Sequence, residues 1–204
     1  GDGADGFRRG VEASLKDFGD HPAVFGHQGG DEPHGEWIQR AYDTSAILKE
    51  MAPQWSPFMN LGPYSQGVNE WMGVKSYSDY LDGFCQQGNA DYLCFDVYWQ
   101  MLPDGGGLDL YFTCLKMFAD AAKRNNKPWW ATLLSVGHYE YCCPTEDDFR
   151  WQVSTAAACG AKGLLWYLFY MSGMYQNYRR PPIEHGQRTE TYEYLSRVLR
   201  TFGN

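Results

Sequence analysis

The stretch His21-Pro22-Ala23-Val24-Phe25-Gly26-His27-Gln28-Gly29-Gly30-Asp31-Glu32-Pro33 decides how the chain is read. A short apolar run, Ala23 to Phe25, ends in small residues and then delivers Asp-Glu-Pro. The pattern is that of a buried strand over residues 23–26 that leads to two adjacent carboxylates. Pro33 has no N–H to give to a ladder, so the strand has stopped by that residue. Two roles are open to the acids. Asp31 could cap the helix that begins near Gly35-Glu36-Trp37. Alternatively, the pair stands at the carboxyl end of a parallel strand, where α/β barrels concentrate their chemistry.

Four further strand-like runs follow, at residues 58–61, 92–97, 129–134 and 163–169. Their starts recur about every 30–40 residues, the length of a strand plus a returning helix. Between them lie stretches with apolar residues at helical spacing, over 37–49, 77–84, 110–123 and 147–159, and a last one over 189–201. Pro144-Thr145-Glu146-Asp147 is a helix-start signal, and Asn125-Asn126 a stop. The strand runs are almost continuously apolar, as in parallel strands buried on both faces. Strand-helix alternation of this kind predicts an α/β fold. No G-x-G-x-x-G follows the first strand, which counts against a doubly wound nucleotide-binding sheet. Gly105-Gly106-Gly107 reads as a flexible loop, with an anion cradle as the alternative.

A helix over 7–18, with Phe7, Val11, Leu15 and Phe18 inward, precedes the first strand. The expected architecture is therefore a (β/α)8 TIM-barrel type, partial, with about five βα units in one domain over residues 1–204. The five runs would be strands four to eight, with strands one to three absent or supplied elsewhere. The opening Gly1-Asp2-Gly3 has no initiator Met and reads as a cut, processed or incomplete start. Open barrel edges would need covering, by a second copy of the chain or by a missing N-terminal half.

Composition narrows the function. The net charge of −8 and the lack of a basic run count against nucleic acid and anionic membranes as partners. The longest apolar stretch, 163–171, is far short of the roughly 20 residues of a membrane span, and no signal peptide is read. Aromatic residues make up 17%, including 8 Trp and 15 Tyr. Some must form core, and the rest offer flat faces of the kind on which sugar rings stack. The six cysteines contain no C-x-x-C, so neither a zinc ribbon nor a thioredoxin-like motif is expected. Cys94 and Cys159 read as buried thiols, and Cys142-Cys143 as loop thiols. His27, Asp31, His34 and Glu36 lie close together but match no zinc spacing, so no metal and no cofactor is expected. There is no G-x-S-x-G elbow of a serine hydrolase.

The ordered set of motifs resembles the C-terminal part of a TIM-barrel glycoside hydrolase of clan-A type, similar to family 42 β-galactosidases. It comprises His21 to Gly26 leading to Asp31-Glu32-Pro33, Phe58-Met59-Asn60-Leu61 and Ala90 to Tyr98. It continues with Lys127-Pro128-Trp129-Trp130, Trp151-Gln152-Val153 through Gly163, and Pro182 to Tyr192. The resemblance implies a hydrolase acting on a β-linked glycoside or oligosaccharide. In that family the general acid/base is a Glu after strand four, usually within Asn-Glu-Pro. Glu32 takes that place, and Asp31 stands where the Asn would be. Asp31 could accept a hydrogen bond from a sugar 2-hydroxyl but could not donate one. The family's nucleophile is a Glu closing strand seven. Here residues 130–138 end without one, and Glu140 is the nearest.

Cleavage requires two carboxyl groups flanking the bond, one to protonate the leaving oxygen and one to attack or to activate water. Asp96, at the end of the run 92–97, and Glu140 are the candidates for the second, with Asp96 also able to accept a substrate hydroxyl. Around them, the expected substrate-binding residues are Asp31, His27, Asn60, Tyr64, Tyr98, Trp99, Ser135, His138, Tyr167 and Tyr170, all near strand ends. Rivals to this reading are a non-catalytic carbohydrate-binding barrel and a fragment completed by another chain. An extracellular or periplasmic location would follow from the substrate class.

Overall fold

The protein is an α/β chain of partial TIM-barrel type, with strand and helix alternating along it. The computed structural model describes residues 3–19, 21–173 and 177–202; Gly1 and Asp2 of the opening lie outside these. The elements begin with α1 (Gly3–Phe18), β1 (Gly26–Asp31), α2 (Trp37–Met51), β2 (Ser56–Leu61), α3 (Val68–Met72), α4 (Tyr77–Gln86) and β3 (Leu93–Asp96). They continue with α5 (Leu108–Arg124), β4 (Trp129–Leu134), α6 (Glu146–Ala158), β5 (Gly163–Tyr167), three two-residue strands and α7 (Glu190–Phe202). The short strands are β6 (Tyr170–Met171), β7 (Ile183–Glu184) and β8 (Gln187–Arg188).

The chain packs as two compact units, Gly1–Phe95 with Asp120–Trp129, and Asp96–Ala119 with Trp130–Asn204. Strand order follows chain order, β1-β2-β3 in the first and β4-β5 in the second, with Asp96 of β3 counted in the second and Trp129 of β4 in the first.

In the first unit β1 and β2 are parallel, from Gly26 opposite Ser56 to Asp31 opposite Asn60. The register slips between Gln28 and Gly30, so Gly29 is an extra residue in β1. A Cβ there would come within 2.5 Å of the Met59 methyl and 3.0 Å of that of Thr44, so a larger residue would require the Met59 side chain to move. The first strand thus lies later than the apolar run indicates. Residues 23–25 form the approach to it, with the Val24 N–H turned back onto His21 O at 3.0 Å and the Phe25 side chain exposed. What makes β1 a strand is pairing to β2, which outweighs the poor strand propensity of its glycines.

β2 is buried along nearly its whole length, whereas β1 is half-exposed. Behind them α1 and α2 meet: Val11, Leu48, Ala52 and Trp55 form a core, with Phe7, Leu15, Val24 and Met51 packed on it. Each fully buried large side chain contributes on the order of 1.5–3 kcal/mol. Phe18, expected inward, is exposed because α1 ends at it. In α4 the spacing reads correctly: Tyr77, Tyr80, Leu81 and Phe84 are all buried. Ser76 opens that helix by accepting the Asp79 N–H at 3.1 Å.

In the second unit β4 and β5 are parallel, from Trp130 opposite Gly163 to Leu134 opposite Tyr167. α6 starts with a capping box, in which the Thr145 hydroxyl takes the Asp148 N–H and the Asp148 carboxylate takes the Thr145 N–H. Gln152, on the inner face of α6 and completely buried, reaches the end of β4. Its amide accepts the Leu134 N–H at 2.9 Å and donates to Leu134 O at 3.1 Å. β6 pairs with β7 in parallel, and β7 with β8 antiparallel.

Candidate functional site

The first unit holds the Asp-Glu pair. Asp31 caps no helix: α2 begins after Glu36, with no side-chain cap. The Asp31 carboxylate instead accepts a hydrogen bond from Asn60 Nδ2 at 2.8 Å. The same Asn60 accepts the Glu32 N–H on its main-chain oxygen at 2.7 Å. One buried residue of β2 therefore fixes both acids of the β1 end. Glu32 has φ +42, a left-handed conformation that a non-glycine residue seldom adopts and that surrounding contacts must impose. Two contacts join the Asn60 carbonyl in doing so. The His34 ring bonds Glu32 O through Nδ1 at 2.9 Å, and the Tyr80 hydroxyl donates to Pro33 O at 3.0 Å. The left-handed turn breaks the alternation of a strand, so Glu32 does not face simply opposite to Asp31. Its Cβ and Cγ lie over Gly62, 3.6 and 3.5 Å from where a Gly62 Cβ would be.

A cleft of about 600 Å³ opens beside these residues. β1 and its exit supply Gly29 to His34, and α2 supplies Trp37 and Arg40. Tyr64, expected at the rim, packs edge-on against Tyr77 with ring centres 5.5 Å apart. His27 is not brought to the acids. It lies earlier in β1, stacked on Trp55 and edge-on to Phe7.

The second unit holds an aromatic cluster after β4 and β5. His138 is buried and enclosed by Tyr98, Tyr141, Tyr167 and Tyr178, with ring centres 5.1–5.8 Å away. The Tyr167 and Tyr178 hydroxyls share a 2.6 Å hydrogen bond. Burial pushes the His138 pKa below its ordinary value, opposed by the bond to Val136 O and by Glu140. Ser135 is fully buried; its N–H donates to Tyr167 O at 2.6 Å, and its hydroxyl has no partner among the described residues. Asp96 closes β3, half-buried. Glu140 is exposed on the loop after β4. That loop is tied down where Tyr139 and Asn177 exchange two hydrogen bonds and where Arg179 donates to Tyr141 O at 3.0 Å. Trp99 lies half-buried in a short helical turn, and Tyr170 is exposed in β6.

The sequence reading missed three aromatic neighbours, Trp71, Tyr141 and Tyr178, and weighed His34 only as a metal ligand, whereas its ring stacks on Trp71. Tyr141 follows directly on Glu140, the residue singled out in this loop. Tyr178 and Trp71 carry no local signal, since each meets its partner only through the fold. Among the described residues, no three His, Cys, Asp or Glu side chains gather as a metal site would require.

The fold recurs in known proteins. The fold is that of glycoside hydrolase barrels. The chain matches a Bacteroides thetaiotaomicron VPI-5482 protein assigned as an α-L-fucosidase, at a TM-score of 0.62 and 12% identity, covering 95% of this chain and 59% of that one. It matches the polyextremophilic β-galactosidase of the Antarctic haloarchaeon Halorubrum lacusprofundi at 0.55 and 17%, over 99% and 35%. It matches the β-galactosidase of the psychrophilic Marinomonas ef1 at 0.55 and 11%, over 81% and 26%. The chain thus spans between about a quarter and three-fifths of these glycoside hydrolases. No protein-family model and no curated protein sequence matches it.

Proposed function

We propose that the chain belongs to a glycoside hydrolase of clan-A type, similar to family 42 β-galactosidases, that cleaves β-linked glycosides with Glu32 as general acid/base. The observation that carries the reading is the left-handed Glu32 at the exit of β1, held by the Asn60 carbonyl beside an Asp31 that Asn60 also binds. Strained backbone held by its surroundings is often found at functional sites, and here three separate contacts hold it at a carboxylate. Glu32 would protonate the leaving oxygen and, after bond cleavage, deprotonate the incoming water. Asp31, anchored by Asn60, would accept a hydroxyl of the bound sugar. The second carboxylate would be Asp96 or Glu140. Asp96 has the stronger claim, because it closes a strand while Glu140 is exposed on a loop.

The test is Glu32→Gln, assayed in the full-length protein on aryl β-glycosides of graded leaving-group ability. Loss of the acid slows substrates with poor leaving groups by on the order of 10²–10⁴-fold and spares those that leave without a proton. A uniform loss, or none, defeats the assignment of Glu32. For the second acid, Asp96→Ala assayed with added azide yields a glycosyl azide if Asp96 is the nucleophile, and no rescue if it is not.

A further inference from the structure

α3 is only five residues long, bounded on both sides by glycines in the left-handed conformation, Gly67 at φ +79 and Gly73 at φ +69. It carries a tryptophan that the fold leaves in the open. Trp71 is 51% exposed, yet it is not loose. His34 stacks on it with ring centres 4.5 Å apart and planes within 24°. The same His34 bonds the main chain of Glu32, and the Gly35 N–H donates to Met72 O at 2.9 Å. Met72 and Glu32 also converge over Gly62, where an added Cβ would lie 3.2 Å from the Met72 methyl and 3.5 Å from Glu32 Cγ. The indole and the acid are therefore anchored to one another through two residues, His34 and Met72. A half-exposed indole normally costs free energy, because apolar area stays in water. Here a stack and a main-chain tie hold it in place instead of letting it fold onto the surface.

We propose that Trp71 is a sugar-stacking platform at a subsite adjoining Glu32, and that His34 is the residue that positions it. This rests on the glycosidase reading above. The subsite would hold a pyranose on the leaving-group side of the scissile bond, because the platform is tied to the residue that protonates the leaving oxygen. The substrate class is then an oligosaccharide or an extended glycoside. A monosaccharide with a small aglycone would use less of the site. Sugar rings present C–H faces that pack on an indole as other flat groups do, and such ring contacts change affinity by up to about tenfold.

The experiment separates this proposal from the assignment of Glu32 by measuring binding in the absence of turnover. Glu32→Gln protein is titrated with β-linked di- and trisaccharides by calorimetry, alone and combined with Trp71→Ala, Trp71→Phe, His34→Ala and His34→Phe. Trp71→Ala is expected to weaken the longer sugars by about three- to tenfold and to leave monosaccharide binding unchanged. His34→Ala should weaken them likewise. His34→Phe, which keeps a ring for the stack, should restore most of the affinity. Trp71→Phe, in which a smaller platform survives, gives an intermediate loss and guards against misfolding of the alanine variant. Equal affinity of parent and Trp71→Ala for the longer sugars overturns the proposal, as does a parent that binds none of them. If Glu32→Gln retains full hydrolysis, Glu32 is reassigned and the leaving-group placement falls with it; a higher KM for the longer sugars in Trp71→Ala would then still support the stacking role of Trp71, and an unchanged KM would overturn it.

Discussion

Replacing Gln152 by Leu removes the side-chain tie between α6 and the end of β4. The Gln152 amide is completely buried and supplies both an acceptor and a donor to the main chain of Leu134, the last residue of β4. Leucine fills a similar volume but offers neither. Two buried main-chain groups then lose their partner, at about 1–3 kcal/mol each, or about 2–6 kcal/mol together. Against a typical total stability of about 5–15 kcal/mol, that is a large fraction. Urea unfolding followed by circular dichroism reads the loss, and hydrogen exchange at the Leu134 amide locates it. Gln152→Glu sharpens the test. A protonated carboxyl both accepts and donates, matching the amide, whereas the ionised form only accepts. Burial raises the folded pKa of this new carboxyl above its unfolded value of about 4.3. Its stabilising effect is therefore complete below about pH 4.3 and is lost as pH rises toward the folded value. The variant should approach parental stability at about pH 4 and fall behind it by about pH 7. A Gln152→Leu protein within about 1 kcal/mol of the parent, with Leu134 still protected, would refute the reasoning.

Two further outcomes are expected. Gly163→Ala should destabilise the protein by about 1–3 kcal/mol, because an added Cβ would sit against the Trp130 indole across the β4–β5 pair; a melt no different from the parent's would show that the indole can swing aside. His138, buried among tyrosines, should titrate below the ordinary value of about 6.5. Its contribution to stability is then complete above about pH 6.5 and declines as pH falls below it, since only the unfolded state gains the proton. An NMR titration of the imidazole checks this, and a midpoint at or above about 6.5 overturns it.

Much of the architecture was written in local pattern. The run 129–134 is β4 residue for residue, because an interior parallel strand is apolar on both faces and leaves an unbroken trace. The helices were legible from spacing and from their caps, as with Thr145 before α6. The first strand was not, and its displacement has a physical cause. β1 is half-exposed and built on Gly-Gly, so pairing rather than side-chain composition makes it a strand. α3 was missed because five residues between glycines carry too little periodicity to register. At the candidate site, Glu32 was legible because Pro33 ends the strand in a way sequence alone can show. The Asp31–Asn60 bond joins positions 29 apart in sequence, and no local pattern encodes it. Asn60 stood out as a polar residue in an apolar strand, but its tie to Asp31 did not. His27 packs against Phe7 of α1 and against Trp55 in the connection between α2 and β2, contacts that no local pattern encodes either.

Gly29 has a consequence beyond its own fit. The facing of a residue along a strand is a matter of parity, odd to one side and even to the other. The bulge at Gly29 absorbs one surplus residue, so that Asp31 still arrives opposite Asn60 and on the same side of the sheet as its partner. A relative lacking Gly29 could keep that pairing with a regular strand. A relative that kept the extra residue but lost the bulge would turn Asp31 to the other side of the sheet, away from Asn60. The irregularity is therefore what lets a strand one residue longer than its partner deliver its carboxylate to the same place.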